Sequence, residues 1–458
     1  MTRAGFEGIL GNAFAAFGFP AEGPMGYVFP TEMFLAGSDL SPITDHWDEF
    51  ISGLLTWEPS PDAYGPQEEK TIPVTVTDPA EFYPAVNSLF ARNLWTDAMP
   101  IVPPTEELVN WILTGTEMSP DEQILPGGLV QPRGSKATVR ALAICMAMAG
   151  GRPEYMPFFI AGVQGMINPD SKMQTWNSST HSTFPACVVN GPAAKDIRMS
   201  SGYGCLGPDP QRPANTVIGR AVRLLQINLG GAMPSTGTMA IYGGMRATNA
   251  FFWEDEERSP WTTWAEDRGW RRDQNVVTMT VCNSMINSLW TFGDEHYNNC
   301  SLLALADVMA IPNRSRYSQV TQYKLDNENL MSGIVLLPIG FVKSIIEVNG
   351  YTKEDVKNIL WENSKVPFEK IEKWDYVKSV TQHEVHKDAQ ANRDPIPVCP
   401  KASQLTVVVA GGTQSGHGYY MGPVTQGSVQ SYEVKLPSNW DKLIQDAVED
   451  LGPVPPVN

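Results

Sequence analysis

Basic residues, histidine and paired cysteines are all scarce in this sequence. Against 50 Asp and Glu stand 33 Lys and Arg, a formal net charge of -17 over 458 residues. Such a surface repels phosphate backbones, and no Lys/Arg-rich run offsets it, so nucleic acid is not an expected partner. Long apolar runs are missing too. The stretch 141–150 is too short to cross a bilayer, and 333–348 is interrupted by Pro338 and Lys343, so no membrane partner is expected either. The first ten residues carry Glu7 but no basic start ahead of an apolar core, so no secretory leader is predicted and the expected location is the cytoplasm. Six cysteines (Cys145, Cys187, Cys205, Cys282, Cys300 and Cys399) lie far apart with no C-x-x-C spacing. That pattern argues against a zinc knuckle and a disulfide framework, and predicts reduced thiols, most of them packed in a core. The sequons at Asn177 and Asn299 then carry no glycan.

What is present is a large core. The chain is 42% hydrophobic and only 18% charged, the profile of a packed protein too long for one small domain. The expected class is α/β, multi-layered, with a mixed sheet and several core helices behind an aromatic, Gly/Pro-rich N-terminal extension. We divide it into an extension at 1–70 that docks a partner, a main α/β part at 71–315 and a C-terminal α/β part at 316–458 packing on it. The segment 58–70 (EPSPDAYGPQEEK) has a linker's composition and precedes a strand-like alternation at 72–77. Helices are predicted from Thr105 to a stop at Gly115, over 135–150, over 153–167, over 298–310, from Thr352 with Asp355 in a capping box, and from Ser438 to Gly452. Strands are predicted at 276–282, 334–337 and 405–410. The segment 175–231 reads as loops with short helices, and 253–270 as an aromatic, acidic surface stretch whose run Glu254 to Glu257 is a solvated loop.

Two constellations could carry chemistry. The first runs from His181 through Asn190 and Ser201 to Cys205, and ends at Asn215, where a helix begins whose apolar face is Ile218, Ala221, Val222, Leu225 and Leu229. Unpaired N–H groups at such a start attract anions, and Arg220 and Arg223 could clamp a carboxylate or phosphate. Within that field Cys205 becomes a nucleophile, and otherwise it is a small packing residue. His181 is a base, a metal ligand or a hydrogen-bonded structural histidine. The second constellation follows the strand at 405–410, where Gly411-Gly412-Thr-Gln-Ser-Gly416-His417-Gly418 leads to Tyr419. Loops past the carboxyl ends of strands hold ligands in α/β sheets, so Gly412 and Tyr419 are expected to bind substrate and His417 to move protons. The glycine spacing matches no dinucleotide or phosphate-loop fingerprint. No cofactor is predicted, no residue is assigned to a metal, and His383 with His386 reads as a solvated surface pair.

Several short motifs in combination carry a resemblance. Thr96-Asp97-Ala-Met-Pro100-Ile-Val-Pro-Pro-Thr-Glu106, Gly151-Arg-Pro-Glu-Tyr155, Val189-Asn-Gly-Pro192, Leu206-Gly-Pro208, Ala214-Asn215 with Ile218-Gly-Arg-Ala221, and Val409-Ala-Gly-Gly412 are similar to a group of bacterial proteins linked to the UGSC-motif family, of large-subunit type. That family is named for a selenocysteine or cysteine followed by Gly-Ser-Cys. The likeness covers most of residues 90 to 450, and residues 14–34 resemble the end of a UGSC domain. No Cys-Gly-Ser-Cys occurs here, and Ser201-Gly-Tyr-Gly-Cys205 is a different pattern, so the motif's role passes to no residue of this chain. The resemblance implies a smaller subunit that supplies that motif, hence a hetero-oligomer.

These readings converge on the large subunit of a heteromeric enzyme that makes or breaks a carbon–heteroatom bond in a small polar or anionic molecule. The class is lyase, hydrolase or thiol-dependent oxidoreductase. Cys205, His181 and His417 are its catalytic candidates, and Asn190, Ser201, Asn215, Arg220, Gly412 and Tyr419 its substrate-binding ones. The alternatives are a cofactor-free hydrolase or lyase working through histidine acid and base catalysis, and a non-catalytic scaffold subunit.

Overall fold

The computed structural model describes residues 39–56, 71–243, 248–289, 300–311, 333–367, 397–424 and 427–457, with isolated positions at 2–4, 7, 10, 11, 28, 29 and 395. Most of the aromatic extension, the linker at 58–70 and the stretch holding His383 and His386 lie outside the described residues.

The chain is α/β, built on one mixed seven-stranded sheet. Its strands are β1 (Phe184–Asn190), β2 (Ala250–Trp253), β3 (Val276–Leu289), β4 (Ile334–Leu337), β5 (Thr406–Val409), β6 (His417–Pro423) and β7 (Gln430–Glu433). They lie in the order β2-β1-β3-β6-β4-β5, with β7 also on β3. The parallel pairs are β1 with β2 and β4 with β5, while β3 is antiparallel to β1, β6 and β7. Strands from both sides of residue 315 share this sheet, so the main and C-terminal parts meet through backbone pairing and not only through side-chain packing.

The length of β3 sets the shape. Its first half pairs with β1 and β7, its second half with β6, and the register shifts between Cys282 and Ser284. A bulge bends and twists a strand, and here the sheet curls into a half-barrel. The curl brings the edge strands β2 and β5 together where the Asp255 N–H donates to the Val409 carbonyl at 2.7 Å.

Because each strand alternates sides, the curled sheet has an inner and an outer face. Phe184, Ala186, Val188, Phe252, Ile334, Leu336, Val408 and Met421 meet on the inner face. On the outer face, β1 to β3 are covered by α1 (Glu106–Leu113), α2 (Val139–Met148), α3 (Met156–Ile167) and α4 (Ala214–Asn228). The strands β4 to β6 are covered by α5 (Cys300–Ala310) and α6 (Lys353–Asn363). The last helix, α7 (Trp440–Leu451), sets Trp440 against Phe158 of α3.

Local signals account for most helix ends. Thr105, Thr138 and Thr352 cap α1, α2 and α6 through their hydroxyls, and Asp355 closes the capping box on α6. Three expectations differ from the structure. Residues 72–77 form no strand, since Pro73 removes a ladder donor and only Val74 packs on the core. Ser438 does not cap α7, which begins one residue later with Asn439 at the cap position and no side-chain cap bond. The supposed loops of 175–231 contain β1, a central strand. Pro185 is tolerated there because β2 first pairs at Ala186, so the missing donor falls beyond the end of the neighbouring strand.

Helix α4 fixes the spacing of the outer layer through Gly219. A Cβ there would lie 1.7 Å from the Thr248 carbonyl oxygen, and Asn249 Nδ2 donates to the Gly219 carbonyl at 2.9 Å. Gly to Ala inside a helix ordinarily gains about 1 kcal/mol from propensity. Gly219→Ala is expected instead to lower the urea midpoint of unfolding, by the equivalent of about 2 kcal/mol or more, because backbone must move. An unchanged or higher midpoint would mean that the contact between α4 and residue 248 is not tight.

Candidate active site

The two glycine-rich loops fold together. The Gly411 N–H donates to the Ser201 carbonyl at 2.7 Å, and the Tyr203 hydroxyl shares a 3.0 Å hydrogen bond with Thr413 Oγ1. Gly412 lies flat against the Tyr203 ring, where a Cβ would come within 2.3 Å. The bond to Thr413 lowers the pKa of the exposed Tyr203 phenol. The 200–205 loop is anchored from α4. Asn215 Oδ1 accepts from the Ser200 N–H at 2.8 Å, and Nδ2 donates to the carbonyls of Ser200 and Cys205 at 3.1 and 2.7 Å.

Beneath this junction, at the carboxyl ends of β1 and β2, the first three residues of the run predicted to be a solvated loop are buried, and Glu257 is exposed as expected. Glu254 and Asp255 are 1% and 2% exposed, and Glu256 8%. A carboxylate is buried only when its charge is met, and each has partners. Asn190 Nδ2 donates to Glu254 Oε2 at 2.8 Å and to Glu256 Oε1 at 2.7 Å, one amide bridging two acids. Glu254 Oε2 also accepts from the Trp264 N–H at 2.8 Å, Glu256 Oε1 from the Gly191 N–H at 2.9 Å, and Asp255 Oδ2 from Arg258 Nε at 2.8 Å. Gly191 has φ +104 and sits against Gln274 and Asn275, a conformation and a closeness that only glycine allows.

Burial raises the pKa of Glu254 to about 7, opposed by the Lys353 charge and by its two hydrogen bonds, and assisted by Glu256. Burial likewise raises Glu256. The Lys353 ammonium is itself buried, bonded to Asp267 and to the Thr262 carbonyl. Asn190 Oδ1, Ser201 Oγ and Thr216 Oγ1 are buried with no hydrogen-bond partner. The site therefore holds a carboxyl whose pKa is raised to about 7, bonded to Asn190, whose own carbonyl oxygen has unused capacity.

The predicted site residues fare unequally. Asn190, Ser201, Asn215 and Gly412 come together at the junction, with Asn215 acting as a loop anchor and not as the helix cap. Tyr419 packs on the inner face beside Leu206 and Met285. His417 is on the same face of β6, opposite Leu289, whereas His181 has Nδ1 3.4 Å from Asn283 Nδ2. Six residues of β3 separate those neighbours, about 20 Å of strand, so the two histidines do not form one acid and base pair.

Cys205 lies inside the inner cluster, 6% exposed among Phe184, Phe252 and Trp264, and burial pushes its thiol up to about 12. The helix-stabilised thiolate is therefore not formed. Helix α4 begins at Ala214 behind Asn215, and nearby Asp255 disfavours the anion further. Cys145, Cys187, Cys282 and Cys399 are also buried and form no disulfide. The anion clamp fails as well. Arg220 grips Asp97 with Nε and Nη2 at 2.9 and 3.0 Å and reaches the Met99 and Pro100 carbonyls, while buried Arg223 reaches the Ala232 carbonyl. Asn177 is buried and bonded to the Gln131 carbonyl.

The sequence reading missed Glu254, Glu256, Trp264 and Lys353. The available signal was the run Ala250-Phe-Phe-Trp253, four apolar residues that form a buried strand and deliver the acids to its carboxyl end. Among the described residues no group of three or more His, Cys, Asp or Glu is arranged to hold a metal. No helix there is long and apolar enough to cross a membrane. No family of known proteins, no curated protein and no solved structure matches this chain.

Glu254→Gln keeps the acceptor oxygen for Asn190 and Trp264 while removing the charge. Because the folded pKa of Glu254 lies above its unfolded value of 4.5, the acid costs nothing below about pH 4.5 and destabilises increasingly up to about pH 7. The stability of E254Q relative to the wild type is thus expected to rise across that window, by roughly 3 kcal/mol in denaturant titrations. A difference independent of pH would show that the carboxyl is ionised at an ordinary pKa. Arg220→Ala, which removes the ion pair to half-buried Asp97 and the bonds to the Met99 and Pro100 carbonyls, is expected to cost about 2 kcal/mol in the same assay, and no loss would contradict a structural pair.

Proposed function

We propose that the chain is the large subunit of a heteromeric enzyme that makes or breaks a carbon–heteroatom bond in a small polar molecule, and that it works by proton transfer without a thiolate. The observation that carries this reading is the Glu254 carboxyl, buried under the junction of the two loops with its pKa raised to about 7. A group poised there can give a proton to a leaving heteroatom or take one from carbon at neutral pH, which is the condition for efficient acid and base catalysis. Ser201, with its unused hydroxyl, and Asn190, with its unused carbonyl, are the substrate-facing hydrogen-bond partners in this reading. Tyr203, Thr413 and His417 form the outer rim, and Cys205 is packing. The smaller subunit, implied by the motif resemblance alone, docks through the N-terminal extension.

One observation favours the scaffold alternative. Glu254 and Ser201 are almost wholly covered, as a purely structural network would be. Hydrogen exchange separates the two readings even while the substrate is unidentified. The chain, purified with whatever co-purifies, is incubated in D2O with a panel of small hydroxy, amino and thio acids, and deuterium uptake at carbon is followed by proton NMR. Uptake on at least one compound is expected, lost at least a hundredfold in E254Q and kept in Cys205→Ser. Uptake lost in Cys205→Ser but kept in E254Q would return the thiol to the mechanism. No uptake on any compound would leave the scaffold reading in possession.

A further inference from the structure

Glu254 and Ser201 are covered, 1% and 0% exposed, so a molecule that reaches them needs part of the cover to move. The loop 411–416 between β5 and β6 is the part placed to do so. It is rooted beside the acids, where the Asp255 N–H donates to the Val409 carbonyl and the Gly411 N–H to the Ser201 carbonyl, both at 2.7 Å. Its tip, Thr413 and Gln414, is exposed to solvent.

Few contacts hold this loop. It leaves β5 through Gly411, φ +123, and enters β6 through Gly416, φ +79, and at such angles glycine can change conformation without the strain a side chain would bring. Among the described residues, no N–H of 413–416 donates to a backbone carbonyl, so the tip has no ladder to keep it in place. Two contacts grip it from opposite sides. On one side lies the helical turn Ile339–Phe341 after β4, where the Gly340 N–H donates to the Gly412 carbonyl at 3.1 Å. A Cβ on Gly340 would come within 2.3 Å of the Thr413 carbonyl. On the other side the Tyr203 ring lies against Gly412, and its hydroxyl bonds Thr413 Oγ1 at 3.0 Å. Tyr203 is 46% exposed, so water can replace it in that bond at little cost.

From the covered carboxyl, the two glycine ends and the exposed tyrosine contact, we infer that residues 411–416 are a lid over the Glu254 site, hinged at Gly411 and Gly416 and latched by Tyr203. Opening breaks the bond from Gly411 to Ser201 and frees the Ser201 carbonyl beside its unused hydroxyl. The sheet stays as it is, because β5 and β6 each keep their pairing with β4. What the lid admits rests on the reading of Glu254 as the proton-transfer group, whereas its opening does not.

Hydrogen–deuterium exchange of the whole chain, resolved to single amides by mass spectrometry, tests the lid without a substrate. The Gly411 N–H is expected to exchange at least a hundredfold faster than the amides of β5. Tyr203→Phe, which removes the latching hydroxyl and keeps the ring, should speed it about fivefold. Gly340→Ala, which pushes on the lid from the other side, should speed it more, with exchange in α2 and β1 unchanged in both variants. If Gly340→Ala misfolds, Tyr203→Phe decides. Exchange at Gly411 as slow as in β5, no change in Tyr203→Phe, or an equal rise in α2 would overturn the lid. A lid that opens in a chain giving no deuterium uptake at carbon would uphold the inference and defeat the catalytic reading, and uptake without opening would do the reverse.

Discussion

A single side-chain amide, that of Asn190, lies between two buried carboxylates beside the contact between the sheet's edge strands. Each of its N–H groups goes to a different acid, Glu254 or Glu256. The bridge lowers the cost of holding two like charges where water is excluded, and without it the Glu254 pKa would rise further still. The carboxyl ends of β1 and β2 are organised around this arrangement. Gly191 turns so that its N–H reaches Glu256, Trp264 presents its N–H to Glu254, and Lys353 reaches across from α6 to supply compensating charge. The intervening Asp255 uses its backbone to close the half-barrel onto Val409. Acid burial and sheet curvature are therefore one constraint, since the acids can be covered only if β5 arrives with its loop, and the loop is positioned only if β3 bends.

The same geometry divides the chemical labour. Cys205 and Glu254 are both covered, but burial acts on them differently. It raises a thiol that already ionises above neutrality further out of reach, whereas it brings a carboxyl from well below neutrality to about 7. Of the two, only the carboxyl is moved toward neutral pH by being buried. The positive groups near the site are used internally, Arg220 on Asp97 and Lys353 on Asp267, so the site offers a proton-transfer group and neutral hydrogen-bond partners more than it offers an anion trap.

How much of this was legible in the sequence follows from the range of the interactions involved. Caps are local, and Thr105, Thr352 with Asp355 and the run at 405–410 announced their elements through neighbours a few residues away. What escaped depended on distant partners. An acidic run reads as solvated unless one knows that Asn190, more than sixty positions earlier, will bridge it. Arg220 reads as a ligand clamp unless Asp97 is known to face it, 123 positions away. β1 was hidden by Pro185, acceptable only because of where β2 begins. His181 and His417 looked like a pair because both follow or precede chemically rich loops, but the register of β3 holds them apart.

The central claim is that Glu254 stays partly protonated at neutral pH inside the Asn190 bridge. Its most direct test is a pH-difference infrared spectrum of the wild type against E254Q, following the carbonyl stretch of a protonated carboxyl. The account requires a band that is absent from E254Q and titrates with a midpoint near pH 7. A band that disappears near pH 4.5, or one shared by both proteins, would contradict it.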